Sequence, residues 1–486
     1  MQVITGRKII RNFSSLAISS ALDRTLRFVA YSYLARVLGA EAFGMNSFAY
    51  TTFIFFSGIA NFGMRTLGSR EIATHRDEVK RYASNILTMR LVLSVVAFAA
   101  MQIFAGVLEQ RAEARLLSLI YGASVFFSLQ TVDWILMGLE EMQFVGWAIA
   151  LNGVLNCGLL LTLVSGPEHL LRVAVIESGV NAAVTVALFL IALRAIGGVR
   201  IAFEAKLWRY LWQNTVPLGF SLLLFRLFAT APVFIIGALE PDSAVGIFRA
   251  GNMIPNFLLY VALAFADTLL PVISRFFIAD RERLPKIILS AFRAMAAVGV
   301  PIAVGGVFLA RPLVALVFGE AYVDGAGVFQ LMIFSSIFVY PGIVLRHALP
   351  ACHRQRLYLK VMILRTGMLV ALCVALVPLM GMIGAGVAFL LAEVSGFLLS
   401  SHYYHQHIHR IRVLHSTWKA LVSGVVMAVV LGLLGDPTTP SSMLGVGSVS
   451  VLCYGLVFTF VLKGISTREI QFLRNMLLGR GRVSSY

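Results

Sequence analysis

Runs of about 20 apolar residues, separated by short polar connections, recur along the whole 486-residue chain. A helix rises 1.5 Å per residue, so each run can cross a hydrocarbon core about 30 Å thick. Fourteen runs can be marked, at 12–38, 45–66, 86–108, 116–138, 143–165, 172–193, 211–238, 247–270, 287–310, 327–346, 358–378, 384–403, 418–435 and 443–463. Inside a bilayer every backbone polar group must be paired within the protein, and a continuous apolar run achieves this as a helix. The expected fold is therefore an all-α polytopic membrane protein. With 59% hydrophobic and 13% charged residues, the chain is too apolar for a soluble globule.

The net charge of +17 would suit a nucleic-acid binder, but the placement of the basic residues argues against that partner. Most of the 40 Lys and Arg lie in connections on one side, among them Arg7, Lys8, Arg11, Arg76, Lys80, Arg81, Arg281, Arg283, Arg410 and Arg412. By the positive-inside rule this side is cytoplasmic, both termini lie there, and the number of crossings is even. Twelve crossings would keep the same parity. The basic start runs into a charged first span without a small-residue cleavage site, so that span is expected to stay.

Neither metal, disulfide nor cofactor is expected. Cys157, Cys352, Cys373 and Cys453 show no CxxC or Cys/His ligand spacing. The histidine-rich stretch His402 to His409 adjoins Arg410 and Arg412 and reads as a contact for lipid headgroups. The connections at 67–85 and 194–210 are too short to fold alone, which disfavours an enzyme. A membrane polysaccharide polymerase remains the alternative of a different class, with 309–326 and its Glu320 and Asp324 as the one candidate outer loop.

An internal duplication organises the spans. At an offset of 202 residues Asn12 falls on Asn214, Arg24 on Arg226 and Gly44 on Gly246. Six spans separate the copies, an even number, so the repeats are parallel. This predicts an amino-terminal six-helix lobe over 1–193, a cytoplasmic linker over 194–210 and a carboxy-terminal six-helix lobe over 211–403 around a central cleft. Residues 404–486 would add two helices and a basic cytoplasmic tail.

Charged groups at bilayer depth are expensive and are functional candidates by default. Arg24 and Arg226 occupy matching places in the two repeats and suggest a transporter with a cationic cavity. Ser20, Arg24, Arg27 and Tyr31 follow 3- and 4-residue steps and form one polar stripe, with Asp23 placed to pair with Arg27 at i, i+4. Arg226 is expected to face this stripe across the cleft, and Arg90, Arg293 and Arg365 extend the set. The structural alternative is that these arginines pair with the intramembrane acids Asp23, Asp133, Glu177, Asp267 and Glu393. Of these, Asp23, Asp133 and Glu177 are candidates for a coupled cation. Trp134 is suited to an interfacial anchor, and Pro217, Pro232, Pro255 and Pro271 to helix bends or a gate.

The segment Arg36-Val37-Leu38-Gly39-Ala40-Glu41-Ala42-Phe43-Gly44, followed by Asn61-Phe62-Gly63 and Arg70-Glu71-Ile72-Ala73, resembles the opening of polysaccharide-transport flippases. These belong to the multidrug, oligosaccharidyl-lipid and polysaccharide exporter superfamily. Asp133-Trp134-Ile135-Leu136-Met137-Gly138-Leu139-Glu140 is similar to a segment common in the O-antigen and exopolysaccharide branch. The resemblance implies an inner-membrane flippase for undecaprenyl-pyrophosphate-linked oligosaccharide, acting beside a polysaccharide polymerase and a chain-length regulator. A pyrophosphate would suit arginine forks, which make charge-assisted hydrogen bonds to phosphate oxygens. A multidrug exporter and a peptidoglycan-precursor flippase of the same superfamily are the nearer alternatives.

Overall fold

The computed structural model describes residues 6–108, 111–410, 412–435 and 440–462. The start Met1–Thr5 and most of the expected basic tail, 463–486, lie outside the described residues. Among the described residues seventeen α-helices follow one another, and no strand occurs. They are α1 (Gly6–Asn61), α2 (Met64–Thr74), α3 (Val79–Leu108), α4 (Ala112–Ala123), α5 (Asp133–Gly138), α6 (Met142–Leu163), α7 (Leu170–Ile196) and α8 (Ala205–Leu239). Then come α9 (Asp242–Ala279), α10 (Leu284–Phe308), α11 (Ala310–Phe318), α12 (Ala326–Phe334) and α13 (Ser336–Ala351). The series closes with α14 (Gln355–Met380), α15 (Met382–His407), α16 (Val413–Leu434) and α17 (Pro440–Leu456).

Ten helical stretches among the described residues are long and apolar enough to cross a membrane, and the bent pair around Ser335 makes an eleventh. The two arms of α1, which meet at Gly39 (φ 76°, ψ 170°), and the interrupted stretch 112–138 lie where the other three of the fourteen runs fall, and they are helical or partly helical without being among those apolar stretches. The first arm carries Asp23, Arg24 and Arg27, which lowers its mean hydropathy without preventing a helix.

The chain folds as two compact units, Met1–Arg249 and Ala250–Tyr486. In the first unit α1 is the central element, packed on α6, α3, α8, α4 and α7. Apolar side chains of α2, α3, α5 and α7 form a core around Met64, Ile86, Trp134, Leu136 and Leu188. Trp134 is fully buried there, and its indole N–H donates to the Thr131 carbonyl at 2.8 Å. It is a core residue and not an interfacial anchor, because α5 packs against α2. Phe55, Phe104 and Phe234 form an edge-to-face cluster between α1, α3 and α8.

In the second unit α10 packs on α13, α16 and α12, and α14 pairs with α15. Phe292, Tyr340, Phe397 and Tyr404 are the large buried side chains of its core. The last two helices dock on α10 through Val300, Met427 and Tyr454, whose hydroxyl donates to the Ala297 carbonyl at 2.9 Å. Pro217 and Pro232 lie within α8, and Pro255 and Pro271 within α9; both helices continue through them.

Candidate functional site

The polar stripe of α1 folds into a buried network inside the first unit. Asp23 and Arg27 are one helical turn apart, and the Arg27 Nε donates to both Asp23 oxygens at 3.1 and 3.0 Å. Arg27 Nη2 donates to Asn152 Oδ1 on α6 at 2.8 Å, and Nη1 to the Tyr50 hydroxyl on the second arm of α1 at 3.4 Å. One cation thus ties both arms of α1 to α6.

One turn beyond Arg27, Tyr31 points to α7. Its hydroxyl donates to Glu177 Oε1 at 2.8 Å, and the Tyr121 hydroxyl of α4 donates to Glu177 Oε2 at 2.5 Å. The Tyr121 oxygen also lies 2.9 Å from Asn46 Oδ1, while Asn46 Nδ2 is buried without an acceptor. A hydroxyl has one proton, so rotating the Asn46 amide satisfies both: Tyr121 donates to Glu177 and accepts from Asn46. Tyr50 packs on the rings of Tyr31 and Tyr121. Glu177 therefore receives two phenolic protons and no arginine fork.

Arg226 of α8 takes a different course. Its stem crosses Gly58 of α1, where a Cβ would lie 2.5 Å from Arg226 Cδ, so only glycine leaves the path open. The guanidinium donates to the Ile54 carbonyl, to Ser57 Oγ at 2.8 Å and to Gln130 Oε1 at 3.2 Å. All three acceptors are neutral. Arg226 is thus held by the second arm of α1, and its hydrogen-bond partners do not include the stripe it was expected to face.

The other arginines separate by environment. Arg24 is exposed on the first arm of α1 and Arg293 half-buried on α10. Arg90 is buried on α3, within electrostatic reach of Asp133, and its Nη1 has no hydrogen-bond partner. Asp133 accepts from Arg65 Nε at 2.8 Å. Arg365 of α14 is paired with Glu393 of α15 inside the second unit. The sequence pattern passes over Arg65 and Arg346 because both fall at the ends of apolar runs; Arg346 lies on α13, 3.6 Å from Glu393.

Two further features frame the site. Arg111 donates to Glu41 at 2.7 Å and to Asp242 at 3.0 Å, beside the close approach of Gly44 and Gly246. At the opposite end of α3, the extended linker between α7 and α8 is fastened by three backbone N–H groups. Arg200 donates to Ser84 Oγ, Ala202 to Thr88 Oγ1 and Glu204 to Asn85 Oδ1, at 3.2, 3.0 and 3.0 Å. Arg81 bridges Glu204 and Glu78 there, and its hydrogen bonds hold the Glu204 carboxyl below the usual glutamate range.

The polysaccharide biosynthesis protein family matches residues 9–277, more than half of the chain. No curated protein matches by sequence. Among solved structures, the inward closed conformation of the lipid II flippase MurJ is similar over 92% of this chain and 98% of that one, at 13% identity and a TM-score of 0.77. An inward-facing multidrug resistance MATE family transporter of the MOP superfamily is similar over 79% and 94%, at 17% identity and a TM-score of 0.64. A MOP superfamily transporter from Pyrococcus furiosus, described as having a binding pocket of reverse polarity, gives 82%, 95%, 16% and 0.52 in the same order. The chain has the fold of these transporters, and it belongs to the polysaccharide biosynthesis protein family.

Proposed function

We propose that the protein is a flippase that carries undecaprenyl-pyrophosphate-linked oligosaccharide across the bacterial inner membrane by alternating access. The observation that carries this reading is the environment of Arg226. Its guanidinium is held within a membrane-spanning region by a carbonyl, a hydroxyl and an amide oxygen, with no carboxylate among those acceptors. A cation positioned by neutral groups keeps its full charge for an anionic ligand, and a pyrophosphate presents acceptor oxygens that match the guanidinium fork. Arg27, Arg65 and Arg365 each have an acidic partner and are better suited to holding helices together. Arg24 stays in the binding set because it lies exposed on the same helix as Arg27.

Coupling to a cation is assigned to Glu177. Asp23 and Arg27 neutralise each other, which leaves the buried carboxylate of Glu177 with hydroxyl donors only. A proton or a sodium ion entering there would remove the remaining charge and alter the hold of Tyr31 on α7. Both termini are assigned to the cytoplasm from the distribution of Lys and Arg, and a polymerase with its chain-length regulator would consume the exported units outside.

The similarity to a lipid II flippase supports a second reading, a peptidoglycan-precursor flippase. The test is leaflet exchange in proteoliposomes, with a fluorescent undecaprenyl-pyrophosphate oligosaccharide and lipid II offered separately. Exchange of the oligosaccharide by wild type and its loss in Arg226→Ala supports the proposal. Exchange of lipid II alone moves the assignment to the second reading. Exchange of neither, with export of a cationic dye, would replace both by a drug exporter.

A further inference from the structure

Arg346 is almost enclosed, with 6% of its side chain bordering open space. Among the described residues its side chain makes no hydrogen bond, and its Nη1 is buried without an acceptor. A guanidinium carries five N–H donors and stays charged at any pH a protein survives. Among the described residues the one carboxylate within ion-pair distance is Glu393, at 3.6 Å, which is longer than a hydrogen bond. Arg365 from α14 engages Oε1 of Glu393, and Oε2, the oxygen nearest Arg346, is buried without a hydrogen-bond partner. The neighbouring His347 turns to the exposed Asp267, at 3.7 Å, and brings no negative charge to the cluster.

Two cations and one anion, each more than nine-tenths buried, give this trio a net positive charge in the interior of the second unit. Burying an unpaired charge is strongly unfavourable unless a counter-charge accompanies it. Only a small fraction of the cluster borders open space, which suits a single compact anion better than a substituted phosphoester. We propose that Arg346, with Arg365 and Glu393 beside it, forms a binding site for one compact anion of the halide class. Bound there, the anion accepts the donors of Arg346 and balances the charge that Glu393 cannot cover for two arginines. This site stands apart from the network of the first unit and does not depend on what the protein transports.

The test is thermal unfolding of the full chain in nanodiscs, with potassium gluconate replaced stepwise by chloride or bromide at constant ionic strength. The expected result is a saturable rise in the unfolding midpoint with either halide, lost in Arg346→Met and Arg346→Gln. Glu393→Gln leaves two cations facing the anion and is expected to lower the half-saturating chloride concentration roughly tenfold. No halide dependence in wild type, or full dependence in Arg346→Met, would overturn the site. If Arg346→Met does not fold, an unchanged half-saturation in Glu393→Gln would overturn it. Inorganic phosphate forms a parallel arm: Arg346-dependent stabilisation that is stronger with phosphate than with halide would overturn the assignment to the halide class.

Discussion

Gly44 and Gly246 meet backbone against backbone where the second arm of α1 crosses the start of α9. A Cβ built on Gly44 would lie 3.0 Å from the Gly246 amide nitrogen, and one on Gly246 would lie 3.1 Å from that of Gly44. Each would also overlap a main-chain carbonyl, that of Asp242 or of Ala40. The two residues that the internal duplication pairs are therefore in contact.

Gly44→Ala or Gly246→Ala forces these backbones apart, because neither neighbour is a movable side chain. The expected cost is about 1–3 kcal/mol of overpacking. Thermal unfolding checks this, and a wild-type midpoint in both variants would refute the crossing.

Gly58→Ala behaves differently. The atom in its way is Cδ of Arg226, part of a flexible side chain that can swing aside. Stability should change little, while transport should fall by roughly tenfold, the equivalent of about 1.4 kcal/mol in the barrier, as the guanidinium leaves Ser57. Parallel measurements of unfolding and leaflet exchange separate the two effects.

At Glu177, Tyr31→Phe and Tyr121→Phe each remove one donor from a buried carboxylate, and each should cost about 1–3 kcal/mol. Glu177→Gln keeps the shape and removes the charge, so it should be tolerated better than either. Under the coupling proposal it should also abolish the dependence of transport on the driving cation, which a proteoliposome assay with imposed gradients reads directly.

Arg365→Met should cost less than the roughly 3–5 kcal/mol typical of breaking a buried pair, since Arg346 stands 3.6 Å from Glu393 and can inherit it. Arg346→Met combined with Arg365→Met should then be worse than the two single costs added. A double-mutant cycle on the unfolding free energy measures this excess.

The linker between α7 and α8 should loosen in acid. Arg81 holds the Glu204 carboxyl below its ordinary range, so the contribution of this pair is fully present above the unfolded value of about 4.3 and fades as pH falls through the lower folded value. Amide exchange at Arg200, Ala202 and Glu204 should rise over that acidic window, and less so in Glu204→Gln, which has no charge to lose.

The succession of apolar spans, the connection that begins at Gly39 and the pairing of Asp23 with Arg27 were legible because each depends on local spacing. The partner of Arg226 was not. An offset of 202 residues equates Arg226 with Arg24, but equivalence under a repeat says nothing about which face of α8 meets which arm of α1. Arg346 and Arg65 were missed for a related reason: whether a charge at the end of an apolar run points to water or into the bundle depends on helix rotation. Trp134 shows the same limit, since a tryptophan near the end of a span serves equally at an interface or beneath a neighbouring helix.

The joint between the two arms of α1 rests on torsion alone. Gly39 has φ 76° and ψ 170°, a region practically reserved for glycine, yet nothing lies within 4 Å of where its Cβ would stand. An L-alanine would meet open space and still be strained, whereas its mirror image would find at this point the ordinary extended conformation of its own hand. The turn from the first crossing into the second is thus specified by handedness, and a D-residue introduced at position 39 by chemical ligation should be accepted where every L-residue is resisted.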